Sequence, residues 1–214
     1  MTPVEMAAAT SLMEYLPTAP RQGAEKYHGA IASGYDAKRD QSPKWVIEQG
    51  HIEDMLSDLP TGSWVLDVPC GTGRFFKFYH DHGLLFVAVD RSEDMLAQAA
   101  HQVVDFQKAR LHVGDVRKLA AMEDKCVDAA VMCRLSRWLS PDDCVVALKE
   151  LQRVSRQKII STWRVRNHPH ARSYDLINGA LDGWKIHRDE QGSDPDYRII
   201  ELRPSSLNTD AERR

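Results

Sequence analysis

The sequence has no hydrophobic run long enough to cross a membrane. A spanning helix needs about 20 predominantly apolar residues, whereas the hydrophobic residues here, 43% of 214, are distributed in short runs. Residues 1–20 also lack the basic start and the long apolar stretch of a secretory signal. We therefore expect a cytoplasmic protein with no membrane segment.

Cysteine is scarce, and neither sign of charge is in large excess. The four cysteines, Cys70, Cys126, Cys133 and Cys144, form no C-x-x-C pair, so we expect reduced thiols rather than disulfides or metal ligands. The formal net charge is −3, with no long run of lysine or arginine. Binding to nucleic acid is therefore not expected from overall charge, although a local basic patch would still allow it.

Short apolar segments alternate with helical patterns along the chain. Segments rich in valine, isoleucine and leucine predict strands at 64–68, 84–90, 109–114, 126–133 and 158–163. A helix-start signal at Ser42 places one helix before the first strand, and those at Ser92 and Ser140 place helices between later strands. The stretch between the third and fourth strands looks poorly helical, and a helix is predicted around 170–182.

The C-terminal part predicts an antiparallel hairpin. WKIHRDE (184–190) and YRIIELRP (197–204) flank the turn-rich QGSDPD. We therefore predict an α/β fold: a Rossmann-like, doubly wound, seven-stranded sheet, mostly parallel, with an antiparallel hairpin at its C-terminal end. Residues 25–204 would form the domain, residues 1–24 an accessory helix and linker, and residues 205–214 a flexible tail.

The stretch VLDVPCGTGRFF (65–76) leads from a predicted strand through a glycine loop into a helix. Such a unit holds nucleotide-like ligands at the carboxyl ends of parallel strands. A dinucleotide-binding loop has a third glycine where this chain has Phe76, and the P-loop pattern for phosphate is missing. Asp67, Asp90 and Asp115 each follow a predicted strand, so three carboxylates are expected at one edge of the sheet.

Five motifs resemble, in order and spacing, those of the class I S-adenosylmethionine-dependent methyltransferases. They are the glycine loop, AVDRSEDML (88–96), GDVRKL (114–119), VDAAVMCRLSRWL (127–139) and LKELQRVSRQKIIST (148–162). The resemblance covers roughly residues 27–204. The first motif departs from the family's usual D-x-G-x-G-x-G in having Pro69 at its first glycine position.

The resemblance implies that the chain binds S-adenosylmethionine and releases S-adenosylhomocysteine. Asp90 would accept the ribose hydroxyls, Asp115 would accept from the adenine amine, and Asp67 would offset the charge of the cationic end. The implied cofactor-binding residues are Tyr35, Asp67, Pro69, Gly71, Gly73, Asp90, Arg91, Met95, Asp115, Val116 and Cys133. The structural alternative is that Asp90 and Asp115 only cap turns at the ends of strands.

Arginines cluster after predicted strands four and five, close to the expected reactive end of the cofactor. The predicted substrate-binding residues are Arg134, Arg137, Arg164 and Arg166. They favour an anionic acceptor held by bidentate arginine, with His168 or His170 as general base. Tyr27, with Tyr35, would form a lid over the sulfonium. The alternatives are a solvated edge of strand five and two ordinary packing tyrosines.

The sequence therefore predicts a methyltransferase that acts on an oxygen or nitrogen of a small molecule, with an anionic acceptor as the working hypothesis. One alternative is a methyltransferase of nucleic acid or protein. The other is a non-catalytic S-adenosylmethionine-binding module, which stays open because the histidine pair expected near Arg137 and Trp138 is missing. The acceptor and the oligomeric state are left open.

Overall fold

A seven-stranded sheet forms the centre of the computed structural model, which describes residues 27–35, 42–166 and 171–208. The strands are β1 (Trp64–Asp67), β2 (Leu85–Asp90), β3 (Ala109–Val113), β4 (Val127–Met132), β5 (Ser155–Arg164), β6 (Trp184–Gln191) and β7 (Tyr197–Pro204). Their order in the sheet is β3-β2-β1-β4-β5-β7-β6. Strands β1 to β5 pair in parallel, and β7 lies antiparallel between β5 and β6. This arrangement confirms the predicted fold class.

Helices cover both faces of the sheet. They are α1 (Ala30–Ser33), α2 (Pro43–Leu56), α3 (Phe76–Asp81), α4 (Glu93–Ala100), α5 (Pro141–Val154) and α6 (Tyr174–Gly179), with 3-10 turns at Ser136–Trp138 and Ser205–Asn208. The helix predicted around 170–182 is shorter in the structure, because Ser173 caps its first turn and Ala180 already ends it. The described residues between β3 and β4 contain no helix, as the sequence predicted.

Three of the helices begin with a serine cap, at Ser92, Ser140 and Ser173. The Ser92 hydroxyl accepts the amide of Met95 at 3.2 Å, and the Ser140 hydroxyl accepts the amide of Asp143 at 3.1 Å. These bonds satisfy amide groups that the first turn of a helix leaves without partners. Ser42 also precedes its helix, but its side chain forms no cap bond. The caps fix where each helix leaves the carboxyl end of its strand.

Two apolar cores lie on opposite faces of the sheet. One packs α5 and α6 around the fully buried Trp163, and the other packs α2 and α3 around Phe76 and Tyr79. Strands buried on both faces explain the near-continuous apolar runs in the sequence. Within the part of the chain that is described, no helix is long and apolar enough to cross a membrane.

The domain boundaries stay a proposal. Residues 1–24, predicted as an accessory helix and linker, lie outside the described residues. At the other end, the stretch predicted as a flexible tail begins with the 3-10 turn Ser205–Asn208, whose first amide donates to the Gly183 carbonyl at 2.8 Å.

Candidate active site

A deep cleft opens at the carboxyl ends of β1, β2 and β4. It encloses about 1150 Å³ of empty space, including its open mouth. Nine of the predicted cofactor-binding residues line it: Tyr35, Pro69, Gly71, Asp90, Arg91, Met95, Asp115, Val116 and Cys133. Ligands of open parallel sheets bind at this edge, because the strands end there in loops that can carry polar groups. We refer to this cleft as the main cavity.

Asp90 is fixed at the wall of the main cavity by the glycine loop. One of its carboxylate oxygens accepts the Gly71 amide and the other accepts the Ser92 amide, both at 2.9 Å. Burial raises the pKa of Asp90 despite these two bonds. Gly71 has a φ of 57°, which favours glycine. A Cβ at Gly71 would lie 3.5 Å from the end of the Met95 side chain, which is an ordinary van der Waals contact, so the positive φ is what requires glycine here.

Asp115 lies on the same side of the cavity in an ion-pair network. Arg117 donates to it at 2.6 Å, and Arg91 lies 3.6 Å away. Burial alone would raise the pKa of Asp115, but the Arg117 hydrogen bonds hold it below its usual range. Met95 and Val116, both buried, add apolar surface beside the two carboxylates. This end of the cavity therefore combines hydrogen-bond acceptors with a flat apolar slot.

Asp67 differs from its prediction, because it does not line the main cavity. Its carboxyl group is completely buried beneath the glycine loop, where one oxygen accepts from the Tyr79 hydroxyl at 3.3 Å and the other has no partner. Burial raises the pKa of Asp67 to about 8. With a pKa this high, the neutral form of the carboxyl group predominates at pH 7. The contact of Asp67 with the cationic end of the cofactor stays a prediction.

Gly73 also lies away from the cavity lining. Its φ is 86°, and a Cβ there would come within 2.8 Å of the Phe76 ring. The glycine therefore allows the loop to pack closely on Phe76, which fills the position where a dinucleotide-binding loop has its third glycine.

Aromatic rings form another part of the lining of the main cavity. The Tyr27 ring meets Tyr35 edge-on with centroids 5.6 Å apart, and it meets Trp138 at 6.3 Å. Tyr35 in turn lies 5.9 Å from Trp45. The Arg137 guanidinium lies over the Trp138 ring, 4.8 Å from its centroid. This part of the cavity therefore combines aromatic surface with arginine side chains stacked on it.

Two functional candidates were missed by the sequence reasoning, Glu48 and Arg74. Arg74 lines the cavity, stacks 4.2 Å over the Trp45 ring and donates to the Glu48 carboxylate at 2.5 Å. Glu48 is fully buried and also accepts from Arg134 at 2.7 Å and from the Tyr197 hydroxyl. Burial would raise the pKa of Glu48, but the two arginines hold it below its usual range. The sequence did contain a signal for Glu48, because this acid lies on the apolar face of α2 together with Trp45 and Ile52.

The predicted arginine cluster is only partly brought together. Arg134 and Arg137 line the main cavity, whereas Arg164 and Arg166 do not. The Nη1 of Arg164 donates to both carboxylate oxygens of Asp194 at 2.8 Å, and Arg166 is exposed. A further arginine of this region, Arg172, is buried and donates to the Leu139 carbonyl. The predicted general bases His168 and His170 lie outside the described residues.

Comparison with known proteins relates this site to an enzyme family. A family model described as a methyltransferase domain matches residues 65–158. Malonyl-acyl-carrier protein O-methyltransferase from Salmonella typhimurium is 31% identical over 179 residues, which cover 76% of this chain and 71% of that protein. The chain belongs to the class I S-adenosylmethionine-dependent methyltransferases. The resemblance inferred from the five motifs is thereby confirmed.

Other relatives of this methyltransferase agree with the assignment. The enzyme of the same name from Pectobacterium atrosepticum is 35% identical over 138 residues, or 64% of this chain and 50% of its own length. The chain therefore spans about half of that relative. Among solved structures, magnesium protoporphyrin IX methyltransferase from Synechocystis with bound S-adenosylmethionine has a TM-score of 0.69 at 14% identity, covering 88% of this chain and 99% of that one. A Pyrococcus horikoshii protein, PH0226, has a TM-score of 0.63 at 19% identity, covering 78% and 93%. At these identities the two structures share the fold.

The main cavity of the methyltransferase fits S-adenosylmethionine by its donor and acceptor chemistry. The nucleoside carries hydroxyls and an amine, which are hydrogen-bond donors, and Asp90 and Asp115 present carboxylate acceptors beside an apolar slot. Gly71 has a positive φ, and its amide donates to Asp90, so the glycine turn holds this carboxylate at the cavity wall. The enzyme therefore uses S-adenosylmethionine as its methyl donor.

Proposed function

We propose that the methyltransferase methylates a carboxylate oxygen of an anionic acceptor. The observation that carries this proposal is the charge at the reactive end of the main cavity. Three guanidinium groups, Arg74, Arg134 and Arg137, are matched there by one carboxylate, Glu48. The surplus favours an acceptor that brings negative charge. The Salmonella and Pectobacterium relatives, named as O-methyltransferases of a malonyl group, support an oxygen of an acidic acyl group.

The cofactor end is proposed to hold the nucleoside. Asp90 would accept the ribose hydroxyls with the lone pairs that Gly71 and Ser92 leave unused, and Asp115 would accept from the adenine amine. Met95 and Val116 would pack against the adenine faces. When bound, S-adenosylmethionine supplies a methyl group on a cationic sulfur that a nucleophile can displace.

The chain's own contribution to the reaction is proposed to be positioning and exclusion of water. Tyr27, Tyr35 and Trp138 would cover the reactive end with aromatic surface, and Arg137 at its edge would orient the acceptor. A carboxylate is already deprotonated near neutral pH, so it reacts as a nucleophile without a general base. The role assigned to His168 or His170 is therefore needed only if the acceptor is a neutral hydroxyl or amine.

The cofactor half of the proposal is tested by calorimetric titration with S-adenosylmethionine and S-adenosylhomocysteine. Asp90→Ala should abolish saturable binding of both, whereas Asp182→Ala, which removes an exposed carboxylate far from the cavity, should leave binding unchanged. Equal affinities in the two variants would remove Asp90 from the cofactor site. Because Asp90 also accepts loop amides, circular dichroism must show that its variant is folded.

The acceptor half is tested by methyl transfer to a malonyl thioester, its neutral amide analogue and an amine of similar size. Only the carboxylate should be methylated, and Arg137→Gln should lower kcat/KM by about tenfold, as expected for a lost charge-assisted hydrogen bond. Arg166→Gln, outside the main cavity, is the matched control. Transfer to the amine would overturn carboxylate methylation. Binding of S-adenosylmethionine without transfer to any of the three would favour the non-catalytic module.

A further inference from the structure

A second, smaller cavity lies beside the main one and is strongly basic. Four of its eight lining residues are cations, Lys44, Arg134, Arg137 and Arg164, and the other four carry hydroxyl groups. Arg134 and Arg137 line both cavities. A molecule that occupies the reactive end of the main cavity could therefore extend past these two arginines into the second one.

The positive charge of the second cavity is only partly neutralised. Arg164 is paired with Asp194, and Arg134 shares the Glu48 carboxylate with Arg74. Lys44 and Arg137 form no ion pair with a carboxylate of the described chain. Carboxylates are also absent from the described lining of this cavity. Two cations that no carboxylate of the described residues neutralises, in a concave site, favour binding of an anion with up to two negative charges.

The donors that remain available come from several directions. The Ser136 hydroxyl already donates to the Thr162 carbonyl at 2.9 Å, and the Tyr197 hydroxyl donates to Glu48. The donors left over are the Lys44 ammonium, the Arg137 guanidinium and the hydroxyl of Ser193, together with further N–H groups of Arg134 and Arg164. They belong to α2, to the turn after β4, to β5 and to the turn between β6 and β7.

We propose that the second cavity is a phosphate-binding subsite for the acceptor. Donors that converge from four elements suit the tetrahedral oxygens of a phosphate better than a planar carboxylate, which one arginine can saturate in a bidentate pair. The acceptor would then carry a phosphate group in addition to the group that is methylated. This deepens the proposed function and rests on it for the link to the acceptor, whereas phosphate binding itself does not depend on the reaction.

The binding test is an NMR titration of the isotope-labelled full chain with inorganic phosphate, and with acetate as the carboxylate for comparison. Phosphate should cause saturable shifts at the amides of Lys44 and Ser193, and acetate should not. The double substitution Lys44→Gln with Ser193→Ala should weaken phosphate binding about tenfold, the loss expected for a charged hydrogen bond. Lys149→Gln, another exposed lysine with no ion-pair partner in the described chain, should leave it unchanged.

The outcomes separate the subsite from the proposed reaction. Calorimetry with S-adenosylmethionine shows whether the double variant keeps its folded cofactor site, because Lys44 and Ser193 lie outside the main cavity. Absence of saturable phosphate shifts, equal shifts in both variants, or tighter binding of acetate than of phosphate would overturn the subsite. Inorganic phosphate should also inhibit methyl transfer competitively against a malonyl thioester that carries a phosphate group, and not against S-adenosylmethionine. If no acceptor is methylated but phosphate still binds, the proposed function fails and the subsite stands.

Discussion

Asp67 and Asp90 flank the same glycine loop but have opposite surroundings. The Asp90 oxygens each accept a backbone amide and face the main cavity, whereas Asp67 is buried with one oxygen unpartnered. A buried carboxyl group without enough donors stays protonated, because its charged form loses the solvation of water. The first acid of the motif is therefore part of the core beneath the loop.

The protonation of Asp67 predicts how stability changes with pH. The pKa is about 8 in the native protein and near its ordinary value of 3.8 in the unfolded chain, so between these values the native state binds one more proton. The free energy of unfolding therefore falls as pH rises through this window, by about 1.4 kcal/mol per pH unit. Asp67→Asn removes the titration, so the stability of the variant relative to wild type should rise by about 3 kcal/mol between pH 5 and pH 7.

Urea denaturation at pH 5, 6 and 7 measures this difference. The test is how the free energy of unfolding of Asp67→Asn, relative to wild type, changes with pH. An effect of the amide on packing is the same at every pH and therefore cancels. Asp182→Asn, an exposed carboxylate, should show a difference that does not change with pH. If the free energy of unfolding of Asp67→Asn relative to wild type were also the same at all three pH values, a protonated Asp67 would be contradicted.

At the scale of elements, the described N-terminal segment 27–35 is attached to the start of α4. The Ser92 hydroxyl donates to the Tyr27 carbonyl at 2.6 Å while it accepts the Met95 amide, and Asp94 accepts the Gly29 amide at 2.8 Å. The residue that follows β2 and caps α4 thus also holds the ring of Tyr27 at the mouth of the main cavity. The Ser92 hydroxyl therefore both caps α4 and anchors the segment that carries the Tyr27 ring.

Ser92→Ala should therefore have two effects. Loss of a helix cap should lower the free energy of unfolding by about 1 kcal/mol, and loss of the Tyr27 bond should release segment 27–35. Ser140→Ala removes the corresponding cap of α5, which has no contact of this kind, and is the matched control. Hydrogen exchange in residues 27–35 should become faster in the Ser92 variant and not in the Ser140 variant. The Ser92 variant should also bind S-adenosylmethionine about fivefold more weakly. Equal exchange in both variants would contradict the attachment.

The sequence predicted the features that depend on neighbouring residues, and it missed those that depend on contacts between residues far apart in the chain. The strands, the caps at Ser92 and Ser140 and the glycine loop are local patterns, and the structure has them where they were expected. The Glu48 cluster was missed because its partners Arg74, Arg134 and Tyr197 lie 26, 86 and 149 positions away. No local period encodes such pairs. The opposite roles of Asp67 and Asp90 were likewise invisible, because burial, not spacing, distinguishes them.

At the scale of the whole molecule, the main cavity joins parts of the chain that are far apart in sequence. Its walls come from segment 27–35, α2, the glycine loop, and the ends of β2, β3 and β4. The two apolar cores lie on either side of the strands that carry it. A ligand bound there contacts elements from both halves of the sheet, so its binding energy should add to the stability of the domain as a unit.

S-adenosylmethionine should therefore raise the melting temperature of the entire chain in a single transition. At a concentration of 100 times Kd, a ligand that binds only the native state adds about 2.7 kcal/mol. For a chain of this size, each kcal/mol is worth about 2–4 °C, so the expected shift is about 5–10 °C. Scanning calorimetry should show the full shift in Arg137→Gln, which alters only the acceptor end, and none in Asp90→Ala. A shift that the Asp90 variant retains, or one that affects only part of the unfolding enthalpy, would contradict a cofactor site built from both halves of the sheet.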